Sequence, residues 1–153
     1  MKVFISYSIN DISLVHTIAN HIKHHSDEFY WDKSKIPGKE AWPTIFNWIE
    51  QSELILAVIT DSTVSRAMSV GQEIGHAKAK DKTIIPIVGP NVPNAELGFL
   101  SGITYQSIQH DNPGPALSVI EQVILDKKQK IDFTNAVVVI GGILGLIWLA
   151  SRK

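Results

Sequence analysis

The chain has 153 residues, enough for one domain with a single core and too few for two of ordinary size. Its 14 Lys and Arg against 15 Asp and Glu leave a net charge of −1, so no excess positive field is available to hold a nucleic-acid backbone. Zero cysteines exclude a disulfide framework, a thiol nucleophile and a thiolate metal site, while a mean hydropathy of +0.08 beside 19% charged residues points to one concentrated apolar segment.

In chain order, Lys2 to Tyr7 is a short apolar-rich run and reads as a first strand. Ser8 with Asp11 forms a capping-box pattern, and Leu14, Val15, Ile18, Ala19 and Ile22 then recur at helical spacing. Glu28 to Trp31 reads as a second strand, followed by a basic, turn-bearing loop from Lys33 to Lys39 that contains Pro37-Gly38. Pro43 suits a first helical turn, and Ile45, Phe46 and Ile49, with Trp48, give the apolar stripe of a second helix ending near Gln51.

Leu54 to Ile59 is continuously apolar, as expected of a strand covered on both faces of a parallel sheet. Thr60, Asp61 and Ser62 supply cap chemistry before a third helix whose packed face is Val70, Ile74 and Ala77. Thr83 to Val88 reads as a fourth strand; Pro86 favours an edge position there and conflicts mildly with an interior one. A short helical stretch at Ala95 to Leu100, a fifth strand at Ile103 to Tyr105 and a loop from Asp111 to Pro115 come next. Leu117, Ile120, Val123 and Ile124 then mark a last amphipathic helix. Alternating strands and helices predict right-handed crossovers and a parallel sheet with helices on both faces.

The concentrated apolar segment is Phe133 to Ala150, 18 residues without a charge. As a helix it would measure about 27 Å, close to the ~30 Å of a bilayer core, so a C-terminal transmembrane helix over 133–150 is expected after a linker at 129–132. Residues 1–132 then hold 12 basic and 15 acidic residues, a net −3. Lys127, Lys128 and Lys130 before the span place the 1–128 domain in the cytoplasm of a single-pass membrane protein. Gly141 and Gly145 form a small-xxx-small pair along the span.

In open α/β sheets ligands bind beyond the carboxyl ends of strands, which nominates Ser6-Tyr7-Ser8, Trp31 to Gly38 and Thr60 to Ser65. No glycine-rich dinucleotide or Walker sequence follows any strand, which disfavours a nucleotide held in the usual phosphate cradle. Ser69, Glu73, His76 and Lys80 share one helix face beside the buried stripe; on pattern alone Glu73 reads as a solvated residue interacting with His76. His21 and His25 stand at i, i+4, a spacing that could hold a metal, but no acidic partner on a second helix is identifiable. A solvated polar face is the better reading.

Three motifs in order carry a resemblance: Phe4-Ile5-Ser6-Tyr7-Ser8 with Asp11; Asp32-Lys33-Ser34-Lys35-Ile36-Pro37-Gly38 followed by Trp42; and the segment from Ser62 to Glu73-Ile74-Gly75-His76-Ala77. Together with Ile85-Pro86-Ile87, they resemble a TIR (Toll/interleukin-1 receptor) domain of the bacterial type over roughly residues 1–125. The resemblance implies a flavodoxin-like, five-stranded parallel sheet of order 2-1-3-4-5. It also implies cleavage of the nicotinamide-ribose bond of NAD+, as substrate and not cofactor, by a hydrolase or cyclase without a metal. Glu73 falls on the family's catalytic glutamate and would stabilise an oxocarbenium-like transition state.

Substrate contacts would come from Ser6, Tyr7, Ser8, Trp31, Asp32, Lys33 and Ser69, with the nicotinamide ring against Tyr7 or Trp31. Ser69 stands where the family often has tryptophan, and Ala67 where a serine is usual. The loop of Ile36, Pro37 and Gly38 with Trp42 would mediate TIR-TIR self-association that switches on activity, in an anti-phage defence role. The alternative is a non-catalytic TIR interaction module using the same loop.

Overall fold

The computed structural model describes residues 1–29, 41–61 and 67–150, without the side chains of 9, 28, 29, 67–69, 96, 99 and 139–150. Its elements are β1 (Lys2–Ser6), a 3-10 turn (Ile9–Asp11), α1 (Ile12–Ile22), β2 (Asp27–Phe29), α2 (Trp42–Gln51) and β3 (Leu54–Ile59). There follow α3 (Ala67–Ala79), β4 (Thr83–Val88), a 3-10 helix (Asn94–Leu100), β5 (Gln106–Ser107) and α4 (Gly114–Ala150). The five strands are parallel in the order β2-β1-β3-β4-β5, as the resemblance implies. All six residues of β3 are buried, as its unbroken apolar run requires of a central strand.

Register decides which helix sees which side chain. Phe4 pairs with Ile55 and Ser6 with Ala57, and laterally paired residues point to the same face of a sheet. Phe4 and Ile55 cluster with Ile45 and Ile49 of α2 and Ala77 of α3, while Ala57 and Ile59 cluster with Val70 and Ile74 of α3. One face is thus covered by α2 and α3. The chain runs outward from β1 to β2 and then back past β1 to β3, so right-handed crossovers put α1 on the opposite face. The stripe of α1 predicted from spacing, Leu14, Val15, Ile18, Ala19 and Ile22, is buried throughout.

The reversal between β1 and β3 is a topological switch point, the place in such sheets where a crevice opens at the strands' carboxyl ends.

Several local expectations are corrected. The second strand begins one residue earlier than Glu28. The fifth lies at Gln106–Ser107, not at Ile103 to Tyr105, because the chain is still turning there. Gly102 has φ +81°, the Ile103 N–H donates to the Leu100 carbonyl, and Ile108, not Tyr105, is the residue that enters the core. The capping box at Ser8 and Asp11 does not form. Asp11 makes no side-chain cap on α1, and its carboxylate instead accepts a buried 2.6 Å hydrogen bond from Thr60 Oγ1.

Pro86 sits inside β4 without loss of a ladder bond. The Val88 carbonyl accepts from Ile108 on the β5 side at 2.9 Å, and the Gly89 N–H donates to Ile59 on the β3 side at 2.9 Å. Backbone groups alternate sides along a strand, so Pro86 turns its missing N–H toward β5, whose pairing reaches only Ile87 and Val88.

The chain divides into two compact units, Met1–Glu121 and Gln122–Lys153. Residues 129–132, expected as a linker, are helical, lying inside the 37-residue α4. Among the described residues no helix is long and apolar enough to cross a membrane. The expected span lies partly outside the described set, since the side chains from 139 onward are not described. Within the second unit Phe133, Val137 and Val138 are exposed.

Candidate functional site

At the switch point the strand order brings the end of β1 and the two residues that follow it beside Thr60 after β3, with α3 on one face. Ser6 and Ser8 are buried, and neither hydroxyl has a hydrogen-bond partner of regular geometry among the described residues. Tyr7 between them is half-buried and engaged. The Thr60–Asp11 bond joins the end of β3 to the entry of α1, a pairing over 49 residues that no local spacing signals.

Glu73 departs most from the reading on pattern alone. The stripe Val70, Ile74, Ala77 is buried as predicted, but Glu73 is drawn in beside it, with 9% of its surface exposed, and is not solvated. Burial raises its pKa to about 7, and the nearby Ser6 hydroxyl offsets part of that rise. Among the described residues no charged group contributes to the shift. A carboxyl placed this way is about half ionised near neutrality, and in a poorly solvated setting its negative charge acts strongly on any positive charge developing nearby. Buried carboxyls without a cation are costly, and they concentrate where chemistry needs them.

The expected Glu73–His76 interaction is absent because His76 turns outward toward α2. Its ring stacks on Phe46, with centroids 4.1 Å apart and planes at 15°, and its Nε2 lies 3.2 Å from Glu50 Oε1. Lys80 Nζ approaches the same oxygen at 3.0 Å, holding the Glu50 carboxyl below its ordinary pKa with help from His76. Trp42, assigned to a self-association loop, is the first residue of α2, its ring half-buried and 5.4 Å from that of Phe46. Trp31, Asp32, Lys33, Ile36, Pro37 and Gly38 lie outside the described residues. Ser69 is placed in the first turn of α3, but its side chain is outside them too.

The histidine pair also differs from expectation. His21 and His25 do have an acidic partner on a second helix, Glu121 of α4, with Nε2 atoms 3.2 and 2.9 Å from its two carboxylate oxygens. The partner lies 100 residues beyond His21, so spacing could not reveal it. Among the described residues no set of three ligand-type side chains converges to hold a metal.

A family model for the TIR domain matches residues 3–124, and the chain belongs to that family. Solved structures of the same fold include a metazoan TIR-STING receptor from C. gigas (TM-score 0.65, 19% identity), of which 80% of this chain covers only 38%. A CMP N-glycosidase from Clostridium botulinum, BcmB, is matched over 80% of this chain and 99% of its own (TM-score 0.60, 15% identity). The TIR domains of the activated Roq1 resistosome are matched over 82% and 98% (TM-score 0.59, 15% identity). No curated protein matches the sequence.

Proposed function

We propose that this TIR domain is an NAD+ nucleosidase, a hydrolase or cyclase, in which Glu73 supports cleavage of the nicotinamide-ribose bond. The observation that carries the reading is a carboxyl buried at the switch point, with a pKa raised by that burial to about 7 and, among the described residues, no cation acting on it. As the C1′–N bond breaks, its electron pair goes to the pyridinium nitrogen, releasing neutral nicotinamide, and positive charge develops on the ribosyl carbon. Ionised Glu73 stabilises that charge, and a water or an internal nucleophile then bonds to C1′ and gives up its proton. A TIR-family chain whose fold is shared by a CMP N-glycosidase supports N-glycosidic chemistry as the class.

Tyr7 and Trp31 are the proposed contacts for the ring, Asp32, Lys33 and Ser69 for the rest of the substrate, and the loop at Ile36 to Gly38 for assembly of copies. The uncharged run Phe133 to Ala150 is proposed to tether the protein to a membrane with the TIR domain on the cytoplasmic side, which raises local concentration for assembly and fits a defence role. The exposed Phe133, Val137 and Val138 support such a use.

The test is nicotinamide release from NAD+ by artificially clustered, detergent-solubilised protein beside Glu73→Ala and Glu73→Gln. Release unchanged in both variants overturns the assignment. Release from none of the three, with the fold intact by circular dichroism, favours an interaction module instead. Deletion of 133–153 moves the protein from the membrane to the soluble fraction; retention in the membrane fraction refutes the tether.

A further inference from the structure

By its position at a strand's carboxyl end, Ser6 reads as a group that meets substrate. Its surroundings point elsewhere. Ser6 pairs with Ala57, whose side chain belongs to the cluster formed with Val70 and Ile74, so the Ser6 side chain faces α3. Phe4, two residues earlier on the same face, clusters with Ala77, one turn further along the helix. This fixes the level: Ser6 stands opposite the turn that holds Val70, Glu73 and Ile74.

Ser6 is 1% exposed, which closes it to a ligand, and its Oγ has no hydrogen-bond partner of regular geometry among the described residues. Buried hydroxyls are seldom left unpaired without a reason, and a hydroxyl rotor can turn its proton toward a neighbouring oxygen. On the facing turn of α3 the acceptor is the Glu73 carboxyl, whose ionised form the Ser6 hydroxyl favours.

We infer that Ser6 is a positioning residue, its hydroxyl donating to the Glu73 carboxylate so that the ionised form persists at the crevice, and that it does not bind substrate. This rests on the reading of Glu73 as the catalytic carboxylate. Among the described residues, other charged groups do not compete for the role. Glu50, His76 and Lys80 engage one another, and Asp11 engages Thr60. The strand residues facing α3, Phe4, Ile55, Ala57 and Ile59, are uncharged.

The experiment follows the carboxyl itself in the full chain, by infrared titration of the C=O band that disappears in Glu73→Gln, in parallel with the pH profile of kcat/KM for nicotinamide release. In Ser6→Ala the midpoint rises by roughly half a unit to one unit. The acid limb of the profile moves up with it, and activity recovers at high pH. Ser6→Thr, which keeps the hydroxyl, returns both toward the original values. Should Ser6→Ala fold poorly by circular dichroism, the similarly sized, weaker donor in Ser6→Cys takes its place and gives a smaller upward shift.

An unchanged band midpoint in a folded variant overturns the inference, and so does a raised KM with an unmoved profile, which would make Ser6 a substrate ligand. A shifted band together with nicotinamide release indifferent to Glu73→Gln upholds the Ser6–Glu73 coupling and overturns the catalytic reading instead.

Discussion

Two carboxylates flank the same helix and are treated in opposite ways. Glu50, at the end of α2, is exposed and shared by His76 of α3 and Lys80 in the turn after it, and its pKa is lowered, chiefly by the hydrogen bond from Lys80. Glu73, on the inner side of α3, is buried, is acted on by no cation among the described residues, and its pKa is raised, chiefly by desolvation. An exposed ion pair in water contributes little to stability, whereas a charge held in a low-dielectric setting destabilises the fold and gains reactivity in exchange. The difference therefore separates a surface clasp from a candidate reaction centre, even though both involve glutamate.

The most severe break in this contrast is Glu73→Gln, which removes the charge and keeps the shape. Nicotinamide release by clustered protein is expected to fall by about 10²–10³-fold, the usual loss when one electrostatic group at a reacting centre is removed. Stability of the same variant sharpens the contrast from the other side. With the unfolded value at 4.5 and the folded value at about 7, the folded state retains the proton to higher pH, so wild-type stability declines between those values and is level above them. Relative to wild type, Glu73→Gln should be stabilised by up to about 3 kcal/mol at pH 8 and by almost nothing near pH 4, as read from urea unfolding at the two pH values.

His76→Ala removes the stack on Phe46 and the contact with Glu50; a loss of about 1 kcal/mol is expected in the same assay, without a change in the pH profile of activity. Lys80→Ala should be the mildest change. Because Glu50 and Lys80 are both exposed, the melting temperature should stay within measurement scatter, and added salt should erase what difference there is.

Much of the architecture could be read from periodicity. The apolar run of β3 and the stripes of α1 and α3 are local patterns with a single burial solution, and they were placed correctly along with the strand order implied by the family motifs. What escaped were contacts between residues far apart in the chain: Asp11 with Thr60, His21 and His25 with Glu121, and His76 with Glu50. Asp11 satisfied a capping rule and Thr60 a turn rule, so each had a sufficient local explanation that concealed its tertiary partner. Glu73 shows the same limit. Helical spacing puts it at the border of the buried stripe, but whether a border residue turns inward depends on the groups across from it, here the strand end at Ser6. The family motif, not the pattern, singled it out.

The placement of Pro86 bears on how copies of this domain can meet. Beyond the two residues paired with β5, the outer side of β4 has no strand partner among the described residues, and such an edge is ordinarily a template for sheet extension by a second chain. With the proline ring where a donor would stand, an incoming strand finds an acceptor without its complementary N–H, and continuous cross-chain β pairing is blocked at that point. Self-association would then be directed away from this edge, and the chain is protected there against the fibrous aggregation that exposed strands invite when local concentration is high.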